Sequence, residues 1–131
     1  MGVGPNYVLD KGFVATGASA YAAGELVVLN GDGTKCARAT SAGAVVAGVC
    51  MENVDATRIA TGKVVLDTRL MGIARVLAGA AVAVGAKVTN DVTARAVTGG
   101  AAGTNSLGIA LSAASAAGEF IDVLLTPANT M

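Results

Sequence analysis

Ala23-Gly24-Glu25-Leu26-Val27-Val28 opens a stretch that runs through Cys36-Ala37-Arg38-Ala39-Thr40 and Gly48-Val49-Cys50 to Gly62-Lys63-Val64-Val65-Leu66, and the chain then says nearly the same thing again. Val84-Gly85-Ala86-Lys87-Val88-Thr89 opens the second version. Thr93-Ala94-Arg95-Ala96-Val97, Gly108-Ile109-Ala110-Leu111 and Gly118-Glu119-Phe120-Ile121-Asp122-Val123 follow in the same order. The offset is nearly constant, so insertions fall between elements and not inside them. A duplicated unit of short strands and small-residue turns is the mark of a scaffold.

Within the first unit, residues 24–29 read as a strand that ends in Asn30-Gly31-Asp32-Gly33. Asn-Gly and Asp-Gly supply the positive φ that a tight hairpin needs, so residues 35–39 are the return strand. Residues 45–51 and 63–67 read as two further strands, and 70–77 as a strand bridging the units. The second unit gives 87–89, a turn at Asn90-Asp91, then 94–97, a Gly/Ala/Thr/Asn loop over 99–106, and strands at 107–111 and 120–125. Residues 112–117 have room for one helical turn, ended by Gly118. Ahead of everything lies a lead, 1–22, with short strands at 6–9 and 11–15. No stretch carries a capped 3.6-residue apolar period, whereas short strands recur at barrel or sandwich spacing. The expectation is an all-β protein, a small barrel or sandwich. It consists of an extended N-terminal arm (1–22) and one β domain (23–131) built from two similar halves, 23–69 and 84–125.

The core available to such halves is thin. Apolar residues make up 53% of the 131, but most are alanine and valine, with two Phe, two Tyr and no Trp. Burial yields only about 25 cal/mol per Å², and small domains of this kind gain stability from oligomerisation. A homo-oligomer is expected. Nine basic and nine acidic residues cancel and are scattered, with no basic stripe or interleaved aromatics, so no nucleic-acid partner is expected. The longest apolar run, residues 76–86, is about half of what a spanning helix requires, which leaves no membrane role. The start, Met1-Gly2-Val3-Gly4-Pro5-Asn6, lacks the charged and apolar regions of a signal peptide. Cys36 and Cys50, without a CxxC spacing, read as reduced core residues made and kept inside a cell.

Chemistry is hard to find. There is no histidine, which removes the usual general base and the commonest zinc ligand. The carboxylates do not follow a calcium-loop pattern, so no metal and no cofactor are expected. Asn30-Gly31-Asp32-Gly33-Thr34-Lys35 lacks phosphate-loop spacing. A lipoyl-type carrier would need a lysine beside the methionine at Met51-Glu52-Asn53-Val54, and none is there. The chain reads as a non-enzyme. Arg38 and Arg95, each flanked by alanines, are either outward residues of return strands or interface residues that grip a neighbouring subunit's carboxylates, with Glu25 and Glu119 as candidates.

Gly85-Ala86-Lys87-Val88-Thr89-Asn90-Asp91, Ala94-Arg95-Ala96-Val97, Leu107-Gly108-Ile109-Ala110-Leu111 and Ala116-Ala117-Gly118-Glu119-Phe120-Ile121-Asp122-Val123-Leu124 together resemble the C-terminal half of small tailed-phage capsid cement (head decoration) proteins. Asn6-Tyr7-Val8-Leu9-Asp10-Lys11-Gly12 resembles that family's N-terminal strand, and Thr93 departs from its usual glycine. The resemblance implies a structural virion protein, made in the host cytoplasm, that sits on the outside of an HK97-like capsid. It implies a homotrimer that binds the phage major capsid protein and stabilises the shell without catalysis. Pro5, Asn6, Tyr7, Arg38, Arg95 and Glu119 are the expected capsid or subunit contacts. The alternative from another class is a glycan- or small-molecule-binding β domain of a fibre or adhesin, which the scarcity of aromatic stacking faces disfavours.

Overall fold

The computed structural model describes residues 8–30, 32–99 and 105–130, with backbone only for 127–130. Among them the chain forms nine strands and a single turn of helix: β1 (Leu9–Ala15), β2 (Leu26–Asn30), β3 (Lys35–Arg38), β4 (Gly48–Cys50), α1 (Ala56–Ile59), β5 (Val65–Leu77), β6 (Lys87–Asn90), β7 (Ala96–Thr98), β8 (Asn105–Ala110) and β9 (Phe120–Thr130). The fold is all-β, and of the two expected architectures it is the barrel. Strands run in the order β1-β3-β2-β4-β5, and pairing of β1 with β5 closes the ring.

The second half repeats that order. The C-terminal part of β5 pairs with β9, β9 with β8, β8 with β6 and β6 with β7, and a parallel bridge between Ala78 and Ala96 joins β7 back to the end of β5. Val27 faces Gly48 and Arg38, and Val88 faces Gly108 and Thr98. Even the isolated bridges match: Tyr21 with Val54, and Val82 with Ala114.

The strand β5 therefore serves both rings. The sequence reading puts two strands here, at 63–67 and 70–77, with Gly72 inside the second. Instead one thirteen-residue strand runs through. Met71 still pairs with Leu9 of the first ring, and Gly72 already pairs with Leu125 of the second. Gly72 sits at φ +98°, a left-handed conformation that side chains resist, and bends the strand as it passes from one ring to the other.

Two further differences from the sequence reading are local. The helix turn α1 has too few residues for an apolar period, but Asp55 caps it by accepting a hydrogen bond from the Arg58 amide. Residues 112–117 form no helix. The two Ala-Arg-Ala phrases are also not equivalent. Arg38 occupies the place of Thr98, while Arg95 precedes β7 at the place of Lys35.

The core has two parts. Phe13, Ala15, Tyr21, Val27, Cys36, Cys50, Val54, Ile59 and Leu66 fill the first barrel. The second cluster mixes halves: Leu26, Ala39, Val46 and Val49 join Val76, Val88, Leu107, Ile121 and Leu125. Alternation along β2 makes this possible, since Val27 points into its own barrel and Leu26 points at the other. Cys36 and Cys50 are free and buried, as the sequence reading expects of reduced core thiols.

The segment 39–47, which joins β3 to β4, leaves its own barrel and lies on the second. Buried Asn90 holds it there. The Asn90 side-chain amide donates to the carbonyls of Ala39 at 3.0 Å and Ser41 at 2.8 Å, and its carbonyl oxygen accepts from the Ala44 amide at 2.9 Å. Asn105 adds a bond from its side-chain amide to the Gly43 carbonyl at 3.1 Å.

Candidate interaction surface

Glu25 is only 6% exposed, and a carboxylate so buried needs a partner. Arg38 provides it from the neighbouring strand, with Nε 3.1 Å from Oε1 and Nη2 2.7 Å from Oε2. The Ala22 amide also donates to Oε1. Hydrogen bonding to Glu25 raises the pKa of the guanidinium from its ordinary value. Arg38 Nη2 reaches on to the Thr93 carbonyl at 3.3 Å, so the same side chain spans the two halves. The arginine expected to seek a neighbour's carboxylate meets one in its own chain.

Arg95 forms no ion pair among the described residues; its amide donates to Asp91. Exposed Glu119 ties down its own loop, accepting from the Ser115 amide and hydroxyl, and those bonds hold its carboxyl below the usual range. Pro5, Asn6 and Tyr7 lie outside the described residues. Of the three expected contact residues that are described, Arg38, Arg95 and Glu119, none is paired with another. Among the described residues no cluster of potential metal ligands occurs, and no helix is long and apolar enough to cross a membrane.

An apolar groove of about 530 Å³ lies on the first barrel, lined by Leu9, Phe13, Leu29, Val45, Val46, Ala47, Leu70 and Met71. Four of these side chains face solvent although nothing polar accompanies them: Leu9 and Met71 at 51% exposure, Leu29 at 52% and Val45 at 62%. Contiguous exposed apolar surface of this kind marks a contact face. Its chemistry suits an apolar or small-residue partner. No acid, base or nucleophile lines it, so it supplies no chemistry beyond burial. The sequence reading misses this groove because Leu26-Val27-Val28-Leu29 is apolar throughout, and alternation cannot say which residue stays uncovered. Comparing the two halves would have exposed it, since Leu29 stands where the second half has Asn90.

No family model matches the chain, and no curated protein matches it. Among solved structures, one similar fold is the head fiber gp8.5 N base in bacteriophage phi29, at 16% identity and a TM-score of 0.67, covering 92% of this chain and 95% of that one. At that identity the likeness is one of fold: a base segment of a phage head fiber is built on the same architecture.

Proposed function

We propose that this chain is a structural virion protein of a tailed phage. It attaches to the outside of the head, binds the major capsid protein and reinforces the shell as a homotrimer, without catalysing a reaction. The observation that carries this reading is the fold shared along nearly the full length of both chains with a phage head fiber base. The resemblance of residues 85–124 to cement proteins points to the same surface. The exposed apolar groove supports the oligomeric part, because nothing among the described residues covers it. Binding at many symmetric sites multiplies a modest contact into mechanical reinforcement, and no cofactor is needed.

The capsid-binding element in this reading is the arm with Pro5, Asn6 and Tyr7. It is confined to residues 1–8, since residues from Leu9 onward are a barrel strand. The two barrels, which begin at Leu9 and not at residue 23, are then the platform it hangs from. The likeness to a fiber base favours one second reading, attachment of a longer fibre at a few places on the head.

Copy number in purified particles of the source phage, by quantitative mass spectrometry, separates these. About one copy per major capsid subunit is the expected result. A few tens of copies or fewer would move the protein to the fibre-base reading. Absence from particles would overturn both.

A further inference from the structure

The two halves treat the same surface differently. In the second barrel the face made by Asn90, Asn105, Leu107 and Leu125 is covered by segment 39–47 of the first half. The strand registers identify the same face on the first barrel. Leu29 pairs with Cys36 as Asn90 pairs with Ala96, and Arg69 pairs with Val49 as Leu124 pairs with Ile109. The equivalents of Asn90, Asn105, Leu107 and Leu125 are therefore Leu29, Val45, Ala47 and Leu70. All four line the apolar groove. One receiving face is filled within the chain, and the other is uncovered among the described residues.

The donor is also duplicated. Segment 39–47 has its counterpart in 99–107, because the same number of residues separates Arg38 from Gly48 as Thr98 from Gly108. Ala42-Gly43 recurs at the matching place as Ala102-Gly103. The chain thus carries two receiving faces and two copies of the donor sequence, and among the described residues only one face is filled, so a second copy can complete it.

We propose that the groove on the first barrel receives the 99–107 segment of a second copy, docked head to tail in the way the first half docks on the second within one chain. This deepens the oligomeric part of the proposed function and rests on it. The contact is heterologous, and a closed ring, for example of three copies, would fill every groove. With Leu29 in place of Asn90, the contact between copies is apolar where the internal one is hydrogen-bonded. Its strength is therefore insensitive to salt.

Two measurements on the full chain test this. The first is solution mass by light scattering for the wild type, Leu29→Asp, and a control, Val84→Asp, at another exposed valine. The wild type and V84D should have the mass of several chains. L29D should have the mass of one chain, with an unchanged melting transition, because Leu29 is already half exposed in the single chain. The second is disulfide formation in Leu29→Cys/Thr104→Cys, whose positions match Asn90 and Ala44. Covalent multimers should form on mild oxidation, and neither single variant should give them. A multimeric, folded L29D, or a double variant that does not cross-link, overturns the head-to-tail contact and leaves the oligomer standing. A monomeric wild type overturns both. Retention of mass after deletion of residues 1–7 is expected. Loss of mass on that deletion would mean that the chain's own leading residues make the contact, against the proposal.

Discussion

Asn90 shows how much one buried polar side chain can decide. It is 1% exposed, at the end of β6, and every polar atom of its amide is used. The partners are all backbone groups that would otherwise need water. Asn90→Ala orphans two carbonyls and an amide at once, and should cost about 3 kcal/mol. Chemical denaturation would measure that loss. Faster hydrogen exchange at the Ala44 amide would confirm that it comes from release of segment 39–47; an unchanged midpoint would show the segment held by packing alone. Thr89 next to it makes the opposite case: its hydroxyl is buried with no hydrogen-bond partner among the described residues.

Among the elements, the pair β4 and β8 explains two glycines that the sequence reading places inside strands without a reason for either. A methyl group on Gly48 would meet the Arg69 carbonyl oxygen, and one on Gly108 would meet the Leu124 carbonyl oxygen. Arg69 and Leu124 are themselves equivalent in register, so the close approach is a property of the repeated unit. Gly48→Ala and Gly108→Ala should each destabilise by about 3 kcal/mol, since backbone cannot move aside as a side-chain end can. Equal losses in the two melting curves would bear out the equivalence, and a silent variant on either side would break it.

The strands themselves were legible, because alternation and the Asn30-Gly31-Asp32-Gly33 and Asn90-Asp91 turns are local signals. Their partners were not. Pairing depends on register, and the Ala-Arg-Ala phrases at Arg38 and Arg95 match as words while lying three places out of step. The break between 67 and 70 misled for a related reason: Thr68 and Arg69 are polar in sequence, and only their partners Cys50 and Val49 show that the strand continues. The groove was illegible because exposure depends on what a neighbouring element covers. Pro5, Asn6 and Tyr7 lie outside the described residues, and the structure gives Arg38 and Glu119 partners inside the chain.

For the whole molecule, the first barrel's core determines how stability depends on pH. Burial pushes both Cys36 and Cys50 from an ordinary value of 9 to about 11. Between those values the unfolded chain loses its thiol protons while the folded chain keeps them. Stability is thus intact below pH 9 and falls as pH rises through 11. Denaturation midpoints at pH 8 and pH 10.5 should differ, with a smaller difference in a Cys36→Ala/Cys50→Ala chain. A flat profile would mean that these thiols are hydrated. At pH 8 both should react with a thiol reagent only as fast as the barrel opens.

A strand that belongs to two rings is also a tie-rod. A pull that separates the barrels, as when a surface beneath them swells, runs lengthwise along β5. To yield, the rod must slide past β1 and β4 on one side of Gly72 or past β9 on the other, shearing a whole ladder of backbone hydrogen bonds together. Two barrels joined by a loop would part at that loop. Here the joint is as strong as the barrels it connects, and a protein with few large side chains to bury carries tension through its backbone.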